Sequence, residues 1–246
     1  MDAPSITSRE LLSIWERGQG QSRSRRALLL LEALCEKEMP QDLAKLPLGR
    51  RDALLLSFRE QAFGSTFFAL VTCPECGQKI EASFHSNEIR SEASSSPCQE
   101  QSVTMNDYSA LVRLPNTLDL MAIDHISEID RATRVLLERC IVAASFKGED
   151  VQFDRLPESL LDAVLERMSE SDPQADVRLD LSCPECGHGW QAAFDILSYL
   201  WRDIDQWAVR ILHDVHVLAS AYGWSEVDIL SMSAWRRQVY LELVGQ

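Results

Sequence analysis

The sequence predicts a mainly α fold with one small β element, and three observations predict it. Apolar residues recur at helical spacing through most of the 246 residues. Ser, Thr and Asn caps and Gly or Pro breaks bracket those stretches. The same phrase also occurs twice, Cys73-Pro74-Glu75-Cys76-Gly77 and Cys183-Pro184-Glu185-Cys186-Gly187, each between short alternating runs.

In chain order, Thr7 and Glu10 form a capping box and Ile6 with Leu11 a hydrophobic staple, so a first helix runs to about Arg17 and stops at Gly18-Gln19-Gly20. A second, about Ser24 to Lys37, carries Leu28 to Leu31 and Leu34. A third, Pro47 to Phe63, has Leu54, Leu55, Phe58 and Phe63 as its apolar face and Gly64 as its stop. After the first Cys phrase, Ser91 to Gln101 is Ser-rich with Pro97 and reads as a loose loop. Val103 to Leu114 is expected to form a strand pair. Asn116 or Thr117 caps a short helix through Asp119, Leu120 and Ile123. Ser127 and Asp130 resemble another cap, opening a long amphipathic helix to Phe146 that Gly148-Glu149-Asp150 breaks. Pro157 starts a helix striped by Leu160, Leu161, Val164, Leu165 and Met168, ended near Asp172-Pro173. Beyond the second phrase, Asp195 to Tyr222 is one long helix, Ser225 to Leu230 a short one, and Ser233 or Ala234 to Val244 the last.

Each Cys phrase is a knuckle. Pro after the first Cys presets the turn, and Gly after the second supplies the positive φ such a turn needs. Ala69-Leu70-Val71-Thr72 and Leu179-Asp180-Leu181-Ser182 lead in; Ile80-Glu81-Ala82-Ser83-Phe84 and Trp190-Gln191-Ala192-Ala193-Phe194 lead out. Both read as strand, turn, strand. Two hairpins facing each other make a zinc ribbon, here split by an insertion. The four thiols Cys73, Cys76, Cys183 and Cys186 have the spacing of a Zn²⁺ site, and four thiolates leave no open coordination position, so the zinc is structural. A redox dithiol suits one Cys-x-x-Cys alone less well once the phrase is duplicated. A disulfide framework does not suit seven cysteines and an N-terminus, Met1-Asp2-Ala3-Pro4, that is no secretory signal. His188 reads as a polar turn residue. Cys35, Cys98 and Cys140 have no partner at ligand spacing, Cys35 and Cys140 reading as core thiols. The expected organisation is an N-terminal helical part (1–64), a split zinc ribbon (65–90 and 177–195), a helical insertion (91–176) and a Trp-rich C-terminal helical part (196–246).

A net charge of −14 opposes binding to phosphate backbones. It disfavours the alternative of a zinc-ribbon nucleic-acid-binding or transcription-associated protein and favours a basic protein partner. The basic cluster Arg23, Arg25 and Arg26 reads as a solvated helix end. No apolar run reaches the ~20 residues of a membrane span, and the expected location is the cytoplasm. His213 and His216 share a helix face but lack the companion Glu of a metal motif, and no phosphate loop or nucleophile elbow is present. The expectation is therefore no catalytic constellation. Trp224 and Trp235 with Arg236, Arg237 and Tyr240 are the residue types that dominate protein-binding hot spots and form the candidate partner surface.

Leu48-Gly49-Arg50-Arg51-Asp52-Ala53-Leu54-Leu55-Leu56, the Cys-Pro-x-Cys-Gly knuckle, and Arg113-Leu114-Pro115-Asn116-Thr117-Leu118-Asp119-Leu120 together resemble the T4-type phage baseplate hub assembly proteins. The likeness is closer to the versions found with phage-tail-like contractile injection systems. Ala221-Tyr222-Gly223-Trp224-Ser225-Glu226-Val227-Asp228-Ile229-Leu230 and Trp235-Arg236-Arg237-Gln238-Val239-Tyr240-Leu241 fit it too, so it spans most of 45–245. The resemblance implies a non-enzymatic role in building the baseplate hub, with hub, spike or tail-tube proteins as partners and a place within an assembled particle. Phage members often lack the knuckles, so it assigns the metal site no role.

Overall fold

The computed structural model describes residues 6–35, 39–91 and 100–245. The loop expected over Ser91 to Gln101, with Cys98, lies mostly outside them, as does the expected end of the second helix at Lys37. The chain divides into two compact units, one of Met1–Glu38 with Leu197–Gln246, the other Met39–Ile196.

The first unit is helical. In α1 (Ser8–Gly18) Thr7 caps the Glu10 N–H and the Glu10 carboxylate accepts from the Thr7 N–H at 2.8 Å, the reciprocal box expected. α2 (Arg23–Leu34) is capped by Ser22 and buries Leu28 to Leu31. The remaining three helices of this unit, α9 to α11 below, supply most of its core: Leu12 packs with Ala208, Ile211, Val215, Leu218, Ile229 and Leu230. Trp15 Nε1 donates to Asp205 at 2.5 Å. Gly18 has to be glycine, because a Cβ there would sit 2.1 Å from Trp201 Cη2.

The second unit opens with α3 (Pro40–Ala44) and α4 (Leu48–Phe63). β1 (Thr66–Thr72) and β2 (Lys79–His85) form the first hairpin, followed by the single turn α5 (Ser86–Ile89). β3 (Gln101–Met105) and β4 (Tyr108–Val112) pair as expected, through the two-residue turn Asn106-Asp107, both at positive φ. α6 (Thr117–Ile123) starts from Asn116, whose side chain accepts the Leu118 and Asp119 N–H groups.

Here the structure corrects the sequence reading. α7 (Ile129–Cys140) ends at Cys140; Ile141–Phe146 is strand β5, paired with β4 and with the two-residue β6 (Glu149–Asp150). Lys147 and Gly148, both at positive φ, are the turn of a hairpin, and Gly148 therefore does not break a helix. Nor does Ser127 cap α7: its N-cap is Glu128, with no side-chain bond. The inserted segment thus carries a four-stranded antiparallel sheet, β3-β4-β5-β6, beyond the β element expected at the knuckles. α8 (Glu158–Ser171) packs Leu160, Leu161, Val164 and Met168 with Val103, Ala110 and Val112 of that sheet and Leu137 and Cys140 of α7. β7 (Arg178–Ser182) and β8 (Gly189–Ala193) form the second hairpin. α9 (Ile196–Tyr222), α10 (Glu226–Ser231) and α11 (Ala234–Val244) follow, Ser225 and Ser233 capping the last two. Among the described residues no helix is long and apolar enough to cross a membrane.

Candidate metal centre

Both knuckles fold the same way. The Cys73 N–H donates to the Gln78 carbonyl at 2.9 Å and the Gly77 N–H to the Cys73 carbonyl at 3.0 Å; Cys183 to His188 and Gly187 to Cys183 repeat this at 2.9 Å each. Gly77 and Gly187 stand at φ +72° and +73°, as an L side chain rarely does.

Contacts outside the knuckles also tie the two hairpins together. Gln174, buried in the turn before β7, donates from Nε2 to the Ile89 carbonyl at 3.2 Å and accepts the Ser91 N–H at 2.8 Å. It thereby ties the approach to the second hairpin to the exit of the first. The Gly49 N–H donates to the Asp172 carboxylate at 2.9 Å, holding α4 to the same turn. Phe67 stacks on Phe84 at 5.2 Å, and Phe194 of the second hairpin meets both edge-on at 5.5 and 5.4 Å. The Arg59 guanidinium covers Phe67 at 4.0 Å and donates to the Thr66 carbonyl at 2.7 Å.

The four sulfurs converge. Cys73 Sγ stands 3.7 Å from Cys186 Sγ, Cys76 Sγ 3.6 Å from Cys183 Sγ, and all four lie within 4.8 Å of one another. Four sulfurs bound at the ~2.3 Å of a Zn–S bond would be about 3.8 Å apart along each tetrahedral edge, so the cluster has the size of a tetrathiolate. Among the described residues it is the one group of three or more His, Cys, Asp or Glu so placed. Cys73 and Cys183 are buried, Cys76 and Cys186 exposed.

The thiols do not ionise alike. The Cys186 N–H, then the Glu185 N–H and the Cys186 and Cys76 thiols, hold Cys183 down to about 7 against burial; the Cys76 and Glu75 N–H groups lower Cys73 in the same way. At Cys76 and Cys186 the N–H groups of Gln78 and His188 pull the pKa down, but burial of the sulfurs and the neighbouring thiols outweigh them, and Cys186 is pushed up to about 12. The shifts thus run in opposite directions, down at Cys73 and Cys183 and up at Cys76 and Cys186, because four thiols crowd one another. A divalent cation removes that conflict. The all-sulfur donor set is compatible with a metal site and has the chemistry that zinc favours.

The remaining sequence candidates divide. His188 stacks on Trp190 at 6.1 Å and stands outside the sulfur cluster. Cys140 is a core thiol, and burial drives its pKa to about 11. At the C-terminus Trp224 stacks on Tyr222 at 4.4 Å and meets Tyr240 at 4.8 Å, while the Arg236 guanidinium lies 5.7 Å from the Tyr240 ring. Trp235 is 78% exposed. Arg237 is buried instead: Nη1 donates to the Met232 carbonyl at 2.6 Å, and burial lowers its pKa against the pull of Asp214. The sequence reading passed over the phenylalanine lock. Its signal was present, since Phe84 and Phe194 each stand eleven residues after the first Cys of their knuckle. Gln174 gave no signal.

A family model described as T4 bacteriophage base plate protein matches residues 10–201. No curated protein and no solved structure matches the chain.

Proposed function

The chain belongs to the T4 bacteriophage base plate protein family, and from that premise we propose that it is a non-enzymatic assembly factor or component of the baseplate hub of a phage-tail-like contractile injection system, with a structural zinc held by Cys73, Cys76, Cys183 and Cys186. The observation that carries the reading is the family match across 10–201, which takes in most of α1, all of α2 to α8, both knuckles and the start of α9. The convergent sulfurs support the zinc. Its work is mechanical: it closes the chain between Cys76 and Cys183 and fixes two hairpins as one platform. The Trp224, Trp235, Arg236 and Tyr240 surface, backed by the buried Arg237, is the proposed seat of a hub, spike or tail-tube protein.

Deleting the gene from a strain that makes such particles should leave sheath and tube proteins unassembled on any baseplate, as seen by electron microscopy of purified particles. Normal particles from the deletion strain would refute the assembly role. Elemental analysis of the purified protein should give about one zinc per chain.

A further inference from the structure

A cavity of 340 Å³ opens beside the ion pairs of Asp119. It is near the lower end of the roughly 300–1,000 Å³ of ligand pockets, room for the end of an extended chain. Pro47, Leu114 and Leu118 give it apolar walls. Its polar lining holds donors that lack acceptors. Asn116 is only 7% exposed, and its side-chain oxygen is held by the Leu118 and Asp119 N–H groups at 2.9 and 3.3 Å. Those bonds fix which way the amide faces, and the amide nitrogen at its other end donates to no group among the described residues. A buried donor left unused calls for an explanation. Arg139 spends Nε on Asp119 at 2.9 Å, while its two Nη groups bind nothing among the described residues. Lys45, exposed at the same cavity, forms no ion pair among them either. Arg113 is already engaged: Nη1 and Nη2 hold both Asp119 oxygens and the carbonyls of Leu114 and Arg139.

Charge and shape select the occupant. Arg113 and Asp119 cancel. What remains in the lining is Lys45 and Arg139 against the exposed Glu100, an excess of one positive charge in a chain whose net charge is −14. One positive charge is balanced by a monoanion and exceeded by a phosphate dianion. Guanidinium and amide N–H groups sharing a cavity suit the two oxygens of a carboxylate, and the apolar walls suit an alkyl group attached to it. We infer that this cavity takes the C-terminal carboxylate of a protein chain whose last side chain is apolar. The carboxylate accepts from Arg139, Asn116 and Lys45, and the last side chain packs on Pro47, Leu114 and Leu118. An internal Asp or Glu carries its carboxylate at the end of its own stem and brings no second, apolar group to those walls. The inference takes from the proposed function only that the partner is a protein.

The test titrates the isotope-labelled, full-length, zinc-loaded protein and reads it by NMR, including the side-chain amide of Asn116. The probes are a flexible Gly-Ser hexapeptide ending in Leu with a free carboxylate, the same peptide with a C-terminal amide, isocaproate, and inorganic phosphate. The free-acid peptide should shift the Asn116 side-chain amide and the backbone N–H groups of Arg113, Leu114 and Leu118, and the amidated peptide should leave them in place. Arg139→Gln should weaken binding about tenfold or more, as expected for a lost charged hydrogen bond. Because Arg139 also holds Asp119, Lys45→Gln with Leu118→Ser is the second variant. It leaves every hydrogen-bond partner of Asp119 in place and should weaken binding by a similar factor. No shift with the free-acid peptide, equal binding of acid and amide, or wild-type affinity in a folded variant would each overturn the assignment. So would isocaproate binding where the peptide does not, since the occupant would then be a small acid, or phosphate binding more tightly than the peptide, since the site would then be one for a dianion. If these arms fail while the deletion strain still lacks baseplates, the assembly role stands and this pocket does not.

Discussion

Asp119 is a buried charge held by several hydrogen bonds. It is fully buried, yet Arg113 binds both its oxygens at 2.6 and 2.9 Å, Arg139 donates at 2.9 Å, and the Asn116 N–H adds a fourth bond at 3.0 Å. Burial alone would raise its pKa, but the Arg113 and Asn116 hydrogen bonds, with Arg139, outweigh it and the net shift is downward. Asp119→Asn should destabilise by about 3 kcal/mol, the low end for a broken buried pair because both arginines are partly hydrated. A depressed carboxylate contributes stability above its unfolded pKa of about 3.9, and that stability is lost as pH falls through the folded value. The gap in melting temperature between wild type and Asp119→Asn should therefore be full near neutrality and close below about pH 4. Asp52 and Asp172 run the other way: burial raises both, so their contribution falls as pH rises through the window above about 3.9. At the metal centre, Cys183→Ser should abolish stoichiometric zinc and lower the melting temperature by roughly 5 °C or more. Unchanged zinc by elemental analysis and an unchanged melt would show that the hairpins are not joined through metal.

At the scale of the element, the knuckle is an autonomous turn and β5 is not. Gly77 and Gly187 are dictated by φ alone, for an added Cβ at either would meet nothing within 4 Å. Gly77→Ala and Gly187→Ala should each cost about 1–2 kcal/mol by urea denaturation, without steric damage. The Cys-Pro-x-Cys-Gly phrase carries every local preference of that turn, and so the sequence alone marks it. Ile141-Val142-Ala143-Ala144-Ser145-Phe146 satisfies helical spacing as well as strand alternation. What decides it is β4, which offers Ala110 opposite Ala144 and Tyr108 opposite Phe146, the two rings 4.5 Å apart. Propensity is a weak prior where a long-range partner exists. The caps read more faithfully, as Thr7, Asn116, Ser225 and Ser233 each bind an N–H within their own first turn.

At the scale of the molecule, the proposed zinc would make contacts 110 residues apart in sequence interdependent. Stripping it with a chelator should raise amide hydrogen exchange in β1–β2 and β7–β8 together, while α9, whose core is Leu12, Ile211, Val215 and Leu218, keeps its protection. Loss of protection confined to one hairpin would mean that Phe67, Phe84, Phe194 and Gln174 hold the pair without metal. The sequence by itself determined the helices with strong caps, the two knuckles and their four sulfurs, because each is written in a few adjacent residues. Only the tertiary structure decided that Phe194 docks on Phe67 and Phe84, that Gln174 binds Ile89 and Ser91, that 141–146 is a strand and that Arg237 is buried. Those outcomes are set by partners far along the chain, and no local pattern of one segment records which distant segment will meet it.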